Sequence, residues 1–268
     1  MQPHRMGGVT TLTQPQNHPM TPDTNSEAQP GKVYLVGAGP GDPGLLTLRA
    51  AELLKTCDVI LPDDLVSDAV LDLASPTALI IPVGKRCGQP RVTQAGIHDL
   101  MLEHARQESS VLRLKSGDPL VFGRAGEEIA FLREHNIPFE IVPGITAAFA
   151  VAASLQTPLT DRAAASKLIL ATAHHAAGKV TLSPTQMWSG AFPDEATLVL
   201  YMPGRDFNTL AASLMESGIP PATPCVAVSK ASTPEEHVTA TTLEHLGEAA
   251  VGPAPVLLLI GQAIQLPR

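Results

Sequence analysis

The chain has 268 residues, with 18 basic against 26 acidic side chains and a formal charge of −8. Hydrophobic residues at 44% and charged residues at 16% describe a globular protein with a sizeable core, and exclude a disordered or fibrous chain. The acidic balance argues against generic binding to nucleic acid or anionic membranes, aromatics at 3% argue against base-stacking platforms, and no run reaches the ~18 apolar residues of a membrane span. The three cysteines, Cys57, Cys87 and Cys225, lie far apart with no CxxC, and read as small buried hydrophobes of a reducing compartment. The N-terminus lacks a charged-then-apolar leader pattern, so a cytoplasmic location is expected.

Residues 1–30 carry five prolines among Thr, Gln and Asn without apolar periodicity, and read as a disordered tail. From Lys32 onward, short apolar runs alternate with helical patterns. Strands are predicted at Val33–Val36, Val59–Leu61, Leu79–Ile81, Val111–Leu114 and Phe139–Val142, each ending at a Gly, Pro or Asp loop. Helical spacing follows the first of them over Leu45–Lys55, and a small-residue helix follows the fifth over Thr146–Leu155. That alternation implies an α/β domain over 31–157, its sheet mostly parallel with helices on both faces.

The pattern changes after Thr157-Pro158. Lys167–Thr172, Thr197–Tyr201, Cys225–Ser229, His237–Ala240 and Val256–Ile260 are strand candidates, with helices expected only at Phe207–Ser217 and Thr242–Ala250. This reads as a second α/β domain over 158–268 with a mixed sheet.

In open parallel sheets ligands sit beyond the carboxyl ends of the strands. The loop Gly37-Ala38-Gly39-Pro40-Gly41-Asp42-Pro43-Gly44 occupies such a place. A dinucleotide fingerprint requires a third glycine where Asp42 stands, Pro40 lacks an N–H, and an Asp repels a pyrophosphate. A tight turn without a ligand and a nucleotide-type ligand without phosphates both remain. The loop Arg113-Leu-Lys115-Ser116-Gly117-Asp118-Pro119 follows the fourth strand, where Asp118 could bond a ribose or an amino group.

Charge is unevenly placed. The segment from Gly84 to Arg124 is +3, against −11 for the rest of the chain, which suits a small anionic substrate. Arg113 and Lys115 otherwise read as solvated surface charges. Asp63 can be read as a ribose ligand, a general base or a helix cap, and Asp64 as a cap. His174-His175 sits on opposite faces of a strand with no acidic or thiol ligand at useful spacing, so no metal is assigned.

Taken together, Val36–Leu48, Asp63-Asp-Leu-Val-Ser67, Val83-Gly-Lys-Arg86, Arg113–Glu128 and Val142-Pro-Gly-Ile-Thr-Ala-Ala148, in that order, resemble the tetrapyrrole methylase family over about residues 32–264. The Asp-x-Leu-Val-Ser, Val-Gly-Lys-Arg and Phe-Gly-Arg-x-Gly-Glu-Glu elements point to its uroporphyrinogen-III-methylating branch. The resemblance implies an S-adenosylmethionine-dependent methyltransferase, a homodimer, that methylates uroporphyrinogen III at C2 and C7 to precorrin-2 for sirohaem or cobalamin synthesis. It implies a proton acceptor at Asp63 and a proton donor at Lys85. It implies cofactor contacts at Pro40, Ser116, Gly117, Asp118, Val121, Thr146, Ala147, Met202 and Ala231. Arg86, Arg113, Lys115, Arg124 and Arg162 become candidates for binding the substrate's eight carboxylates.

Several positions depart from the family pattern. Pro62 stands where Tyr is usual, Asp64 where Arg is common, and Ser116 for a glycine, while Ser229-Lys230-Ala231-Ser232 replaces Glu-Asn-Gly-Thr. A sister methylase acting on a later precorrin, a nicotinamide-dependent oxidoreductase and a non-catalytic tetrapyrrole-binding homologue are the alternatives.

Overall fold

The computed structural model describes residues 27–84, 92–173 and 191–264. The tail expected over 1–30 lies almost wholly outside them, as do Cys87 and His174-His175.

Strands β1 (Val33–Gly37), β2 (Val59–Pro62), β3 (Leu79–Ile80), β4 (Val111–Lys115) and β5 (Phe139–Val142) form one sheet, ordered β3-β2-β4-β1-β5 with every pairing parallel. Strand periodicity sends alternate residues to opposite faces. Tyr34, Val36, Leu112 and Leu114 meet α1 (Leu48–Thr56) and α2 (Asp68–Leu71) on one face, through Leu53, Leu54 and Val70. Val33, Leu35, Leu61 and Val111 meet α3 (Gln94–Arg106) and α4 (Ala125–Glu134) on the other, through Ile97, Met101 and Leu132. The helix starts are locally encoded: Thr47, Ser67 and Thr93 each accept a hydrogen bond from the backbone N–H three residues on.

Strands β6 (Lys167–Thr172), β7 (Ala196–Tyr201), β8 (Pro224–Ser229), β9 (His237–Thr242) and β10 (Val256–Ile260) form a second sheet, ordered β6-β7-β10-β8-β9. Only β6 and β7 run parallel, so this sheet is mixed. Helix α6 (Phe207–Glu216) covers one face through Leu210, Ala211 and Leu214. The opposite face, Val199, Val226, Val228, Leu257 and Leu259, packs on Ala148 and Val151 of α5 (Ala147–Ser154). Helix α5 thus follows the last strand of the first sheet yet packs beneath the second. Its Ala-rich, nearly all-apolar sequence lets it lie close to that sheet.

One predicted helix is different. Thr242–Ala250 forms a short 3-10 segment over Leu243–Glu248. Gly247 lies so close to Asn208 of α6 that a Cβ there would come within 1.9 Å of the amide oxygen. A tight turn against α6 replaces a freestanding helix.

Candidate active site

The loops after β1, β4 and β5 converge at the carboxyl edge of the first sheet. A Cβ on Gly37 would lie 2.6 Å from the Gly117 carbonyl oxygen, and one on Gly144 would lie 2.2 Å from the same atom. Only glycine fits where three backbones approach this closely. Gly39 and Gly117 exchange hydrogen bonds at 3.2 and 2.7 Å. Asp118 joins the third loop, accepting from the Gly144 N–H at 3.0 Å through Oδ2 and from the Leu120 N–H at 2.8 Å through Oδ1.

The backbone donors of the glycine loop are therefore largely used within the protein. Ala38 N–H donates to Lys115 O, Gly39 N–H to Gly117 O, and Gly44 N–H to the Asp42 carboxylate, while Pro40 and Pro43 have no N–H. A pyrophosphate cradle needs a run of outward N–H groups with no acid among them. This loop offers a narrow, phosphate-poor lip.

Beside it, β4 carries two cations into the interior. Arg113 and Lys115 share the face of β4 that Val111 presents to α3 and α4, and both are buried. Arg113 Nε donates to Glu128 Oε1 at 3.0 Å and Nη1 donates to the Leu61 carbonyl at 2.9 Å, while Nη2 donates to Asp63 Oδ1. Lys115 Nζ donates to the same Glu128 oxygen at 3.0 Å and stands 3.9 Å from Asp63 Oδ2. Glu128 is fully buried, whereas the Asp63 side chain is 31% exposed. Two cations and two anions balance, as burial of ionised groups requires. Burial lowers the Lys115 pKa and the neighbouring Arg113 charge lowers it further, against the pull of Glu128 and Asp63.

The second sheet closes the site from the other side. Tyr201, at the end of β7, bonds Thr146 Oγ1 at 2.7 Å and accepts from the Ala148 N–H at 3.1 Å, fixing the first turn of α5. Phe122, in the loop after β4, lays its ring against Tyr201 at 4.9 Å between centroids. Met202 follows with a left-handed backbone and a half-exposed side chain. Ala231 packs at the edge of the α5 face, its carbonyl 3.7 Å from where a Gly41 Cβ would stand. A cavity of about 550 Å³ runs between Gly41–Pro43, Ser67, α5 and Ser232–Pro234.

Of the positions implied as cofactor contacts, Pro40, Ser116, Gly117, Asp118, Val121, Thr146, Ala147, Met202 and Ala231 all lie on these joined loops or beside Tyr201. Lys85 and Arg86 lie outside the described residues. Arg113 and Lys115 are neither solvated surface charges nor turned to the cleft: period-two geometry points both inward, where Glu128 and Asp63 hold them. Arg124 is exposed and pairs with Glu127 at 2.8 Å, a bond that raises the Arg124 pKa and lowers that of Glu127. Arg162 is exposed in the turn closed by Asp161 and Ala165. Asp64 makes no side-chain cap at α2, where Ser67 does so. Cys57 and Cys225 are buried and free, and burial pushes both thiols up to about 12. Among the described residues no group of three or more His, Cys, Asp or Glu is placed to hold a metal, and no helix is long and apolar enough to cross a membrane.

Sequence reasoning missed Glu128 and Tyr201. For Glu128 a signal existed: Val111-Leu-Arg113-Leu-Lys115 alternates charge into one face of a central strand, which calls for a buried anion opposite. No local signal marks Tyr201, whose partners lie 55 and 53 residues away.

Comparison with known proteins gives a consistent set of relatives. Residues 32–247 match the family of Tetrapyrrole (Corrin/Porphyrin) Methylases. The chain is 42% identical over 240 residues to the chloroplastic S-adenosyl-L-methionine-dependent uroporphyrinogen III methyltransferase of Arabidopsis thaliana, covering 88% of this chain and 64% of that protein. It is 44% identical over 239 residues to siroheme synthase 2 of Halorhodospira halophila, covering 88% and 48%. The chain thus spans about half to two thirds of the length of these relatives. The crystal structure of uroporphyrin-III C-methyl transferase from Thermus thermophilus with S-adenyl homocysteine superposes with a TM-score of 0.73 at 40% identity, over 87% of this chain and 98% of that one.

Proposed function

This chain belongs to the tetrapyrrole (corrin/porphyrin) methylase family, and on that premise we propose that it methylates uroporphyrinogen III at C2 and then C7, giving precorrin-2 for sirohaem or cobalamin synthesis. The observation that carries this reading is the glycine loop whose donors are largely bonded inside the protein, through the N–H groups of Ala38, Gly39 and Gly44. It suits a nucleoside without phosphates and disfavours a nicotinamide dinucleotide. The names of the Arabidopsis and Thermus relatives supply the substrate. S-adenosylmethionine, when bound, supplies an electrophilic methyl group.

The chain's own residues do the rest. Pro40, the Ser116–Asp118 turn with Val121, and Thr146 and Ala147 at the start of α5 line one side of the cofactor's place, with Met202 and Ala231 on the other. Asp63, the one partly open member of the ion cluster, takes the proton that the methylated macrocycle must release. Because the methyl donor is already activated, holding both reactants in line is a large part of the rate. Lys85 enters as the proton donor, and Arg86, Arg124 and Arg162 as the carboxylate ligands. Arg113 and Lys115 frame the base from inside. A homodimer in the cytoplasm completes the reading.

Anaerobic incubation with uroporphyrinogen III and methyl-labelled S-adenosylmethionine tests it. One or two labelled methyl groups in the tetrapyrrole, by mass, are expected. A cofactor-binding protein that leaves uroporphyrinogen III unmodified but methylates a later precorrin overturns the substrate assignment.

A further inference from the structure

We propose that Glu128 is a positioning residue that holds the Lys115 ammonium away from Asp63, keeping one carboxylate oxygen of the base open to the cleft. The inference rests on Asp63 being the base. Its grounds are distances. Lys115 Nζ lies 3.0 Å from Glu128 Oε1 and 3.9 Å from Asp63 Oδ2, the first a hydrogen bond and the second too long for one. Arg113 shares Glu128 through Nε but is also held by the Leu61 carbonyl through Nη1, and its Nη2 meets Oδ1 of Asp63. Oδ2 is then the oxygen left to accept a proton.

Among the described residues, the charged groups facing Asp63 are Arg113 and Lys115 from β4, with Glu128 of α4 behind them. Gln94 of α3 adds a long contact to Glu128 at 3.4 Å and itself lies 3.2 Å from His98. Among the described residues, Glu128 Oε2 has no hydrogen-bond partner. Its carboxylate is thus held in a fully buried place by the two cations rather than by a local hydrogen-bond network. Without that negative charge, an ammonium in a low-dielectric interior has one anion left to turn to. A shift of about one ångström at the end of a four-carbon side chain pairs it with Oδ2 and closes the base.

The test is a rescue. Glu128→Gln is expected to lower kcat at least about tenfold, part of the range a positioned base contributes, with S-adenosylmethionine binding by calorimetry unchanged within twofold. Adding Lys115→Met removes the blocking group and is expected to restore kcat at least threefold. Glu128→Asp keeps the charge but draws it back by one methylene. It carries the same test if the amide variant does not fold, with a smaller loss and the same rescue by Lys115→Met. Full activity in Glu128→Gln, or Lys115→Met failing to raise kcat in both backgrounds, overturns the inference. A Lys115 that binds a substrate carboxylate gives the opposite sign, because its removal raises KM for uroporphyrinogen III. Asp63→Asn is measured alongside. If it keeps wild-type kcat, the base assignment itself fails; if it loses kcat while Glu128→Gln does not, only the role of Glu128 falls.

Discussion

The two sheets treat buried polarity differently. Beneath the first, Arg113, Lys115 and Glu128 are buried as ions around the partly open Asp63. In the second, the buried polar side chains are hydroxyls, Thr197, Ser217, Thr223 and Ser229, set among Leu, Val and Ile. Replacing a buried ion cluster by aliphatic side chains of similar volume is often neutral or stabilising. A charged interior is therefore weak as a stability device and informative as a functional one. The second sheet is apolar framework that contributes Tyr201 and the loops beside it, while the first carries the proposed base and its ion cluster at the ends of its central strands.

Breaking one ion on the first sheet and one contact on the second tests this contrast with the largest expected effects. Arg113→Met removes the partner of both Glu128 and Asp63, and an uncompensated buried charge costs about 3–5 kcal/mol. Leu200→Ala, at a fully buried position of β7, costs about 2–5 kcal/mol as a cavity. Urea unfolding therefore gives losses of similar size, but methyl transfer by the folded fraction separates the two. The Arg113 variant is expected to lose kcat with the cofactor still bound, and the Leu200 variant to keep kcat within about threefold. Equal kcat losses would erase the division of labour between the sheets.

Tyr201→Phe is smaller and sharpens the boundary between the two regions. The hydroxyl ties β7 to Thr146 and to the Ala148 N–H of α5, and its loss is expected to cost about 1–2 kcal/mol. Since Thr146 and Ala147 belong to the proposed cofactor contacts, the prediction is weaker S-adenosylmethionine binding, by about tenfold, with kcat nearly unchanged. A fall in kcat at unchanged affinity would instead place Tyr201 in the chemistry.

The sequence makes much of this fold legible, for identifiable reasons. Strands β1 to β5 end at Gly, Pro or Asp loops and are short, mostly apolar runs, broken only by Arg113 and Lys115 in β4 and Glu140 in β5, so both their presence and the edge where their loops meet follow from local signals. The joining of those loops is also legible, because glycines cluster at their ends. Helix α5 belongs to one sheet by chain order and to the other by packing, and only three-dimensional contact distinguishes those. As basic residues Arg113 and Lys115 read as solvated charges or as carboxylate ligands, because such side chains are seldom buried unless paired. The alternation along β4 outweighs that prior. The 3-10 segment after β9 was missed because its cause is Asn208, some 39 residues earlier in the chain, pressed against Gly247.

The smallest prediction concerns a second, more exposed ion cluster at the same sheet. Glu140 of β5 meets Lys32 at 2.9 Å and Arg49 at 3.2 Å, with side chains 17 to 30% exposed. Burial raises the Glu140 pKa, but the hydrogen bonds from Arg49 and Lys32 outweigh it and the net shift is downward. A carboxyl depressed in the folded state stabilises above its unfolded pKa of about 4.3, and that contribution disappears as pH falls through the lower folded value. Glu140→Gln should therefore cost no more than about 1 kcal/mol at pH 7, the scale of a solvent-screened pair. The stability gap to the parent protein should close as pH falls from the unfolded pKa through the depressed folded value, and added salt should shrink the gap at pH 7. Around Glu128, which is fully buried with Arg113 and Lys115, screening is weaker, so Glu128→Gln should show a smaller salt dependence than Glu140→Gln. If both clusters respond alike to salt, burial is not what separates the ions around Asp63 from those around Glu140.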